Sequence, residues 1–511
     1  MSKTIRVGYS GLIFFGSRIL SMFTGLIFIT LVTRNLPPYD FGLWQLILSV
    51  IGYAALPNVI VGYWVVRDLA RGERNATSAL LFSILLSLGG MAMYIIISLF
   101  SAPKTGGQFF FFTIAIAQVP LSYIVAILSG ISQATRPQSV GIAFIVFEMV
   151  KVIVAIIAFF RFDITLNVAI LAVLLALVGQ CTTLFITQPR NVYTRSINWQ
   201  TVKKWIKLAW LPLFITFSYY IGTFDNLLVS VVTGSTLPLA DYRISHVLSA
   251  LVTQAEAFGF ALYPKLIGGG PLADSRYVVK LIMLFGIPMG TGLFILAIPL
   301  LSILGTSYID TYIVLWPSIP VALIALVHGV FESVLTARER VDTNKAIRFK
   351  DYARSRLFTV PEITLFASII YLIAVGITSY WLMLNQASHV IIATAWSIIA
   401  LFVSVPGLFI KWKMMKRSKT TFNFPWKNIG VYALASLVMA IVLIIAGGHE
   451  NPTVIDNNNH KPTLELILRV VAYTLLGAAI YVPIVFSLDK EFRIMFYKSF
   501  SIFMRTAKKT E

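Results

Sequence analysis

The sequence predicts an all-α polytopic membrane protein of about 14 transmembrane helices, arranged as two pseudo-symmetric six-helix lobes plus two C-terminal helices. Three observations predict it. Of 511 residues, 58% are hydrophobic and only 12% charged, against about 25% charged in ordinary soluble domains. Runs of about 20 apolar residues, enough for a helix to cross the hydrocarbon core, recur along almost the whole chain. Lysine and arginine collect in alternate connections.

The apolar runs define spans at 8–31, 41–66, 78–100, 109–131, 139–160, 165–187, 206–232, 242–263, 278–304, 312–335, 360–382, 388–410, 429–447 and 464–488. They group into an N-terminal six-helix lobe (1–190), a C-terminal six-helix lobe (206–410), two additional transmembrane helices (427–488) and a basic cytoplasmic tail (489–511). Span 1 is long and no A-x-A-like site follows it, so it reads as a retained helix rather than a cleaved signal. With the N-terminus inside, only Arg34, Lys104, Arg161 and Lys461 fall in outer segments, while Arg18, Lys151, Arg243 and Arg469 lie within or at the edges of spans. The rest of the 41 lysines and arginines are inner, which puts both termini in the cytoplasm of a multi-pass plasma-membrane protein. The net charge of +20 therefore reports orientation, not nucleic-acid binding. Cys181, the single cysteine, excludes a disulfide within the chain and reads as a small buried hydrophobe.

An internal repeat supports the two lobes. Leu36-Pro37-Pro38-Tyr39-Asp40-Phe41-Gly42-Leu43 follows span 1, and Leu237-Pro238-Leu239-Ala240-Asp241-Tyr242-Arg243-Ile244 follows span 7. An offset of six spans preserves orientation, as in parallel-repeat transporters.

Intramembrane charges are functional candidates by default, because each costs at least a few kcal/mol at the bilayer centre. They are Arg18 in span 1, Glu148 and Lys151 in span 5, Asp225 in span 7 and Glu256 in span 8, with Arg243 near the outer end of span 8. These six, with Asn58 in span 2, are the candidate substrate-binding set. Glu148 and Lys151 are three apart and share a helix face, so they are expected to pair. Arg suits a diphosphate through its planar fork, and Lys acts as a point charge. Arg469 is placed to snorkel. His328 and Glu332 read as a helix-surface polar pair rather than a proton relay. Gly268, Gly269 and Gly270 read as a plain loop, the asparagine of Asn75-Ala76-Thr77 as unmodified in an inner loop, and the Phe-bearing basic tail as an amphipathic helix on anionic lipid. No G-x-x-x-x-G-K-[ST] phosphate loop and no H-E-x-x-H pair occurs, and no loop is long enough for a soluble catalytic domain. The chain reads as a non-enzyme without a cofactor.

The chain resembles the polysaccharide-biosynthesis, or lipid-linked oligosaccharide, flippases of the multidrug/oligosaccharidyl-lipid/polysaccharide exporter (MATE-like) superfamily. The likeness rests on Thr33 to Trp44 after span 1, Arg67-Asp68-Leu69-Ala70-Arg71-Gly72 after span 2, and Asp225-Asn226-Leu227-Leu228 with Gly234 and Asp241-Tyr242. It continues in Tyr263-Pro264 and Gly305-Thr306-Ser307-Tyr308. The resemblance implies two lobes around a cationic cavity. It implies alternating access that moves a polyprenyl-(di)phosphate-linked oligosaccharide from inner to outer leaflet for cell-surface glycan assembly. The expected partners are that substrate, membrane lipids and glycan-assembly enzymes, with no nucleic acid. Sodium or proton coupling is left open. The alternatives are an ion-coupled multidrug or organic-cation antiporter of the same superfamily, which Asp225 and Glu256 keep open, and a membrane-embedded glycosyltransferase or polymerase, for which Asp40 is the sole support.

Overall fold

The computed structural model describes residues 7–494 apart from 71, 137, 162–164, 195, 260–261, 268–270, 338, 340–351, 418–419, 421 and 451–463. Every regular element among the described residues is helical. Among the described residues, twelve helices are long and apolar enough to cross a membrane, and they correspond to spans 2–7 and 9–14. Span 1 is the helix Val7–Asn35, with a shorter apolar stretch at Phe23–Asn35. Span 8 departs from the expected continuous run: the helix Leu237–Thr253 gives way to a 3-10 turn at Gln254–Gly259, then to the short helix Leu262–Ile267. The triple glycine and most of the basic tail lie outside the described residues.

The chain packs as two compact units, 1–243 with 364–392, and 244–363 with 393–511. In the first, Ala76–Lys104 shows how a helix apolar on all sides chooses its inner face. Ala79, Ser83, Ser87, Gly90, Tyr94, Ser98 and Ser101, three or four apart, are buried. Leu81, Leu85, Leu88, Ile96 and Leu99 are exposed. Lipid solvates large aliphatic groups as well as the interior does, so close backbone approach between small residues decides the interface.

Two spans of this unit are broken near their middles. Span 2 runs as Pro38–Ala55, a 3-10 turn at Leu56–Asn58 and Val59–Ala70, the turn containing Pro57. Span 7 runs as Trp210–Tyr220, a 3-10 turn at Ile221–Phe224 and Asp225–Thr233. Carbonyls at such breaks need partners within the protein. Tyr123 donates its hydroxyl to the Ala54 carbonyl at 2.7 Å, and Tyr53 donates its own to the Thr223 carbonyl. Tyr53 also stacks on Phe224, ring centroids 4.3 Å apart, so the two breaks are joined. Gly90 admits this packing, since a Cβ there would lie 2.7 Å from Tyr123 Oη and 2.8 Å from the Ala54 carbonyl oxygen.

The L-P-x-x-D segments both open helices, Pro38–Ala55 and Leu237–Thr253. They also meet: Thr236 Oγ1 donates to the Tyr39 carbonyl at 2.8 Å. A Cβ on Gly42 would sit 2.1 Å from the Thr236 carbonyl oxygen, and backbone cannot swing away as a side chain can. Gly42→Ala is therefore expected to destabilise the protein by about 2–3 kcal/mol, the upper range for overpacking, read as a lower thermal-unfolding midpoint. An unchanged midpoint would mean the contact opens at no cost.

In the second unit, span 9 (Ala273–Ile295) packs against span 10 and the helix Trp426–Ile445, which packs in turn on Leu464–Leu488. The two C-terminal helices are thus docked. Tyr481 Oη, buried, donates to the Leu284 carbonyl at 2.8 Å.

Candidate functional site

Most intramembrane cations have protein counter-ions. Lys151 Nζ lies 2.9 Å from Glu148 Oε2, one helical turn back, so the expected pair forms. Thr24 Oγ1 of span 1 donates to the same oxygen at 3.0 Å. The ammonium also lies 5.1 Å from the ring centroids of Phe28 and Phe147. Arg18 lies on the span 1 helix, but its side chain is outside the described residues. The Lys151 ammonium is neutralised within the first unit, so it reads first as a span 1–span 5 clamp. Glu148→Ala should destabilise by about 3 kcal/mol, because it leaves a largely covered ammonium without its carboxylate. Glu148→Met with Lys151→Met should cost less than the single change. Thermal unfolding of both variants checks the order, and equal costs would mean the ammonium escapes to water.

Asn58 is held at both ends of its amide. Its Nδ2 donates to the Tyr123 carbonyl at 3.0 Å, and its Oδ1 accepts from Ser83 Oγ at 2.7 Å. It ties the span 2 break to spans 3 and 4. Glu256 lies on the 3-10 turn that interrupts span 8 and is exposed.

Arg243 and Asp225 are brought together with aromatic hydroxyls. Asp225, buried, opens the helix after the span 7 break and accepts from Tyr371 Oη at 2.6 Å. Tyr53 and Tyr242 lie within electrostatic reach of both Asp225 and Arg243. Yet Arg243 is poorly satisfied by the protein. Its Nε is buried with no hydrogen-bond partner, and its Nη2 reaches Ser49 Oγ at 3.4 Å, near the limit of a useful bond. Arginine has five donors in a rigid fork, so this guanidinium keeps capacity for an acceptor from outside the chain. Nearby, His389 Nδ1 lies 2.6 Å from Asp241 Oδ2, joining the starts of spans 8 and 12.

Two clusters arise from residues that looked like inner-loop charges. Lys280, in span 9, lies 3.0 Å from Asp489 and 2.8 Å from Glu491. Asp489 also accepts from Tyr432 Oη at 2.7 Å and Asn428 Nδ2 at 3.1 Å. Lys411, buried in His389–Arg417, pairs with Glu332 and approaches His328 Nδ1 at 3.2 Å. His328 Nε2 lies 3.1 Å from the Ser404 carbonyl. A carbonyl can only accept, so Nε2 carries the proton and Nδ1 accepts from the ammonium. His328 and Glu332 therefore belong to an interhelical network and not to a surface pair. Spacing signalled neither partner, because both lie on distant spans. The signal available was a lysine inside a window that hydropathy still reads as apolar.

Arg469 is exposed and 3.7 Å from Glu465. Asn75 is buried and donates to Asp68 Oδ2 at 3.1 Å.

No protein-family model matches the sequence, and no curated protein matches it by sequence. Solved structures do match in fold. One described as the lipid II flippase MurJ in an inward closed conformation aligns with TM-score 0.61 at 14% identity, covering 94% of this chain and 99% of that one. An inward-facing multidrug resistance MATE family transporter of the MOP superfamily gives TM-score 0.58 at 13% identity, over 79% and 96%. An outward-facing one gives 0.53 at 13%, over 82% and 96%. The chain thus has the MATE/MurJ fold, as an all-α multi-pass membrane protein.

Proposed function

We propose that the protein is a flippase that moves a polyprenyl-(di)phosphate-linked oligosaccharide from the inner to the outer leaflet by alternating access. The observation that carries this reading is Arg243, a half-buried guanidinium whose Nε has no hydrogen-bond partner among the described residues. Lys151, Lys280 and Lys411 each have a carboxylate. A phosphate or diphosphate supplies the planar, anionic acceptors such a fork is shaped for. Tyr242 and Tyr371, both partly exposed, add aromatic faces that suit a sugar. Arg18, on span 1, is the second cation assigned to the head group. The fold likeness to a lipid II flippase supports the same class.

In this reading the lobes are the repeats 1–190 and 206–410, the protein resides in the plasma membrane with both termini cytoplasmic, and glycan-assembly enzymes act before and after it. A second reading, export of organic cations, is favoured by the buried Asp225 and by the MATE structures. Purified protein in vesicles separates them. Labelled lipid-linked sugar should exchange between leaflets faster than in protein-free vesicles, and an organic cation should not compete. Cation uptake without sugar-lipid exchange would instead establish the second reading.

A further inference from the structure

The connection between spans 6 and 7 is not a loose basic loop. It contains the helix Trp199–Lys207, capped by Asn198 Oδ1, which accepts from the backbone N–H groups of Gln200 and Thr201. Three sets of contacts fix the helix and its approach to the first unit. Trp205 is fully buried and donates its indole N–H to Asp68 Oδ2 at 2.9 Å. Val202 is buried beside it in the core formed by Val65, Leu69, Ala79 and Leu128. Upstream, Thr194 and Thr77 exchange two hydrogen bonds, Thr77 Oγ1 to the Thr194 carbonyl at 2.7 Å and Thr194 N to Thr77 Oγ1 at 2.9 Å. The Asn198 backbone N–H donates to Ser78 Oγ at 2.8 Å.

The outward faces of this clamped helix divide by chemistry. At 100° per residue, Trp199 and Ile206 share one stripe, and Lys203, Lys207 and Lys204 follow in order around the helix. All five are exposed. The helix has no acidic residue, so nothing on it neutralises the three ammonium groups. The helix Leu166–Thr187 of span 6 ends shortly before it, and Trp210–Tyr220 of span 7 begins three residues after it. It therefore lies at the level where the spans leave the hydrocarbon. A tryptophan and an isoleucine beside three lysines at that level match a helix lying in the interface plane.

We propose that Trp199–Lys207 is a preformed binding shelf for the head groups of anionic phospholipids. Trp199 and Ile206 enter the acyl boundary, and Lys203, Lys204 and Lys207 hold the phosphates. The shelf is rigid because Trp205 and Val202 anchor its opposite face, so little ordering cost opposes binding. Three residues beyond it the helix Trp210–Tyr220, the first half of span 7, begins. The shelf does not depend on which substrate the protein moves.

The test uses full-length protein in a neutral detergent, titrated with short-chain phosphatidylglycerol or phosphatidylcholine and read by native mass spectrometry. A parallel pair carrying Lys498→Gln, Arg505→Gln, Lys508→Gln and Lys509→Gln lowers the contribution of the tail. Phosphatidylglycerol should bind in preference to phosphatidylcholine. Each lysine near a lipid surface contributes about 1 kcal/mol, so Lys203→Gln with Lys204→Gln and Lys207→Gln should weaken phosphatidylglycerol binding by about 100-fold. The corresponding three changes to arginine should restore it. Trp199→Ser with Ile206→Ser should weaken both lipids and leave the head-group preference intact. Undiminished phosphatidylglycerol binding by the triple glutamine variant would overturn the proposal. So would equal binding of the two lipids, or complete displacement of phosphatidylglycerol by inorganic phosphate.

Discussion

Arg243→Gln should reduce leaflet exchange of a labelled lipid-linked sugar by about 10- to 150-fold, at normal membrane abundance. A charge-assisted hydrogen bond is worth roughly 1.5–3 kcal/mol, and 1.4 kcal/mol is tenfold. The protein itself should lose little. Nε has no partner and Nη2 makes only the 3.4 Å approach to Ser49, so the guanidinium contributes little to folding. Arg243→Lys should be intermediate, because the charge remains and the fork is lost. Arg243→Glu should be worse than Arg243→Gln, since it repels the phosphate. Arg469→Gln serves as the control, because that side chain is exposed and only 3.7 Å from an exposed Glu465. The assay is exchange in vesicles or complementation, with abundance measured for each variant. Full exchange by Arg243→Gln would show that this cation does not hold the substrate.

Asp489→Ala should be the most destabilising single change in the second unit, by about 5 kcal/mol. It leaves Lys280, whose side chain is 5% exposed, without its buried counter-ion, and orphaning half of such a pair costs about 3–5 kcal/mol. Glu491 retains part of that interaction at 2.8 Å, which puts this component near the lower limit. The change also removes acceptors for Tyr432 and Asn428 and for the backbone N–H groups of Glu491 and Phe492, a loss of about 1–2 kcal/mol. Asp489→Asn keeps the shape and should cost about 3 kcal/mol. The effect should concentrate in Trp426–Ile445 and Leu464–Leu488, visible as faster hydrogen exchange there than in the first unit.

The same cluster sets an acid limit. Burial pushes the Asp489 carboxyl up, but hydrogen bonds from Tyr432, Lys280, the Phe492 backbone and Asn428 outweigh it and hold the group below the usual carboxylate range. Its contribution is therefore complete above the unfolded value, near pH 4, and disappears as pH falls through the lower, folded value. Asp489→Asn should flatten that acid limb of stability. An acid limb identical to wild type would assign it to other carboxylates.

The span count was legible because hydropathy is a local property and the bilayer requires about 20 apolar residues for each crossing. Among the described residues, twelve of the fourteen expected spans are long and apolar enough to cross, and the Glu148–Lys151 pair followed from helical spacing alone. The break in span 2 had a local signal in Pro57, and the one in span 8 had Gln254 and Glu256 inside an apolar run. Span 7 had none comparable. Its 3-10 turn carries Gly222 and Thr223, and the partner that satisfies the Thr223 carbonyl is Tyr53, 170 residues earlier.

By itself, then, the sequence determined the all-helical membrane architecture and the approximate span boundaries, because each follows from residues within one helix of one another, but its list of intramembrane charges left out Lys280 and Lys411. Which face of each span turns inward was decided by packing. Helices apolar all round carry almost no amphipathic signal, and small residues such as those of Ala76–Lys104 choose the interface through close approach. The roles of the charges were likewise tertiary. Lys151 acquired a carboxylate and Thr24, and Lys280 and Lys411 became interhelical clamps. Arg243 was left with donors to spare. A cation's spare hydrogen-bonding capacity depends on what distant helices place around it, and spacing along one chain does not encode that.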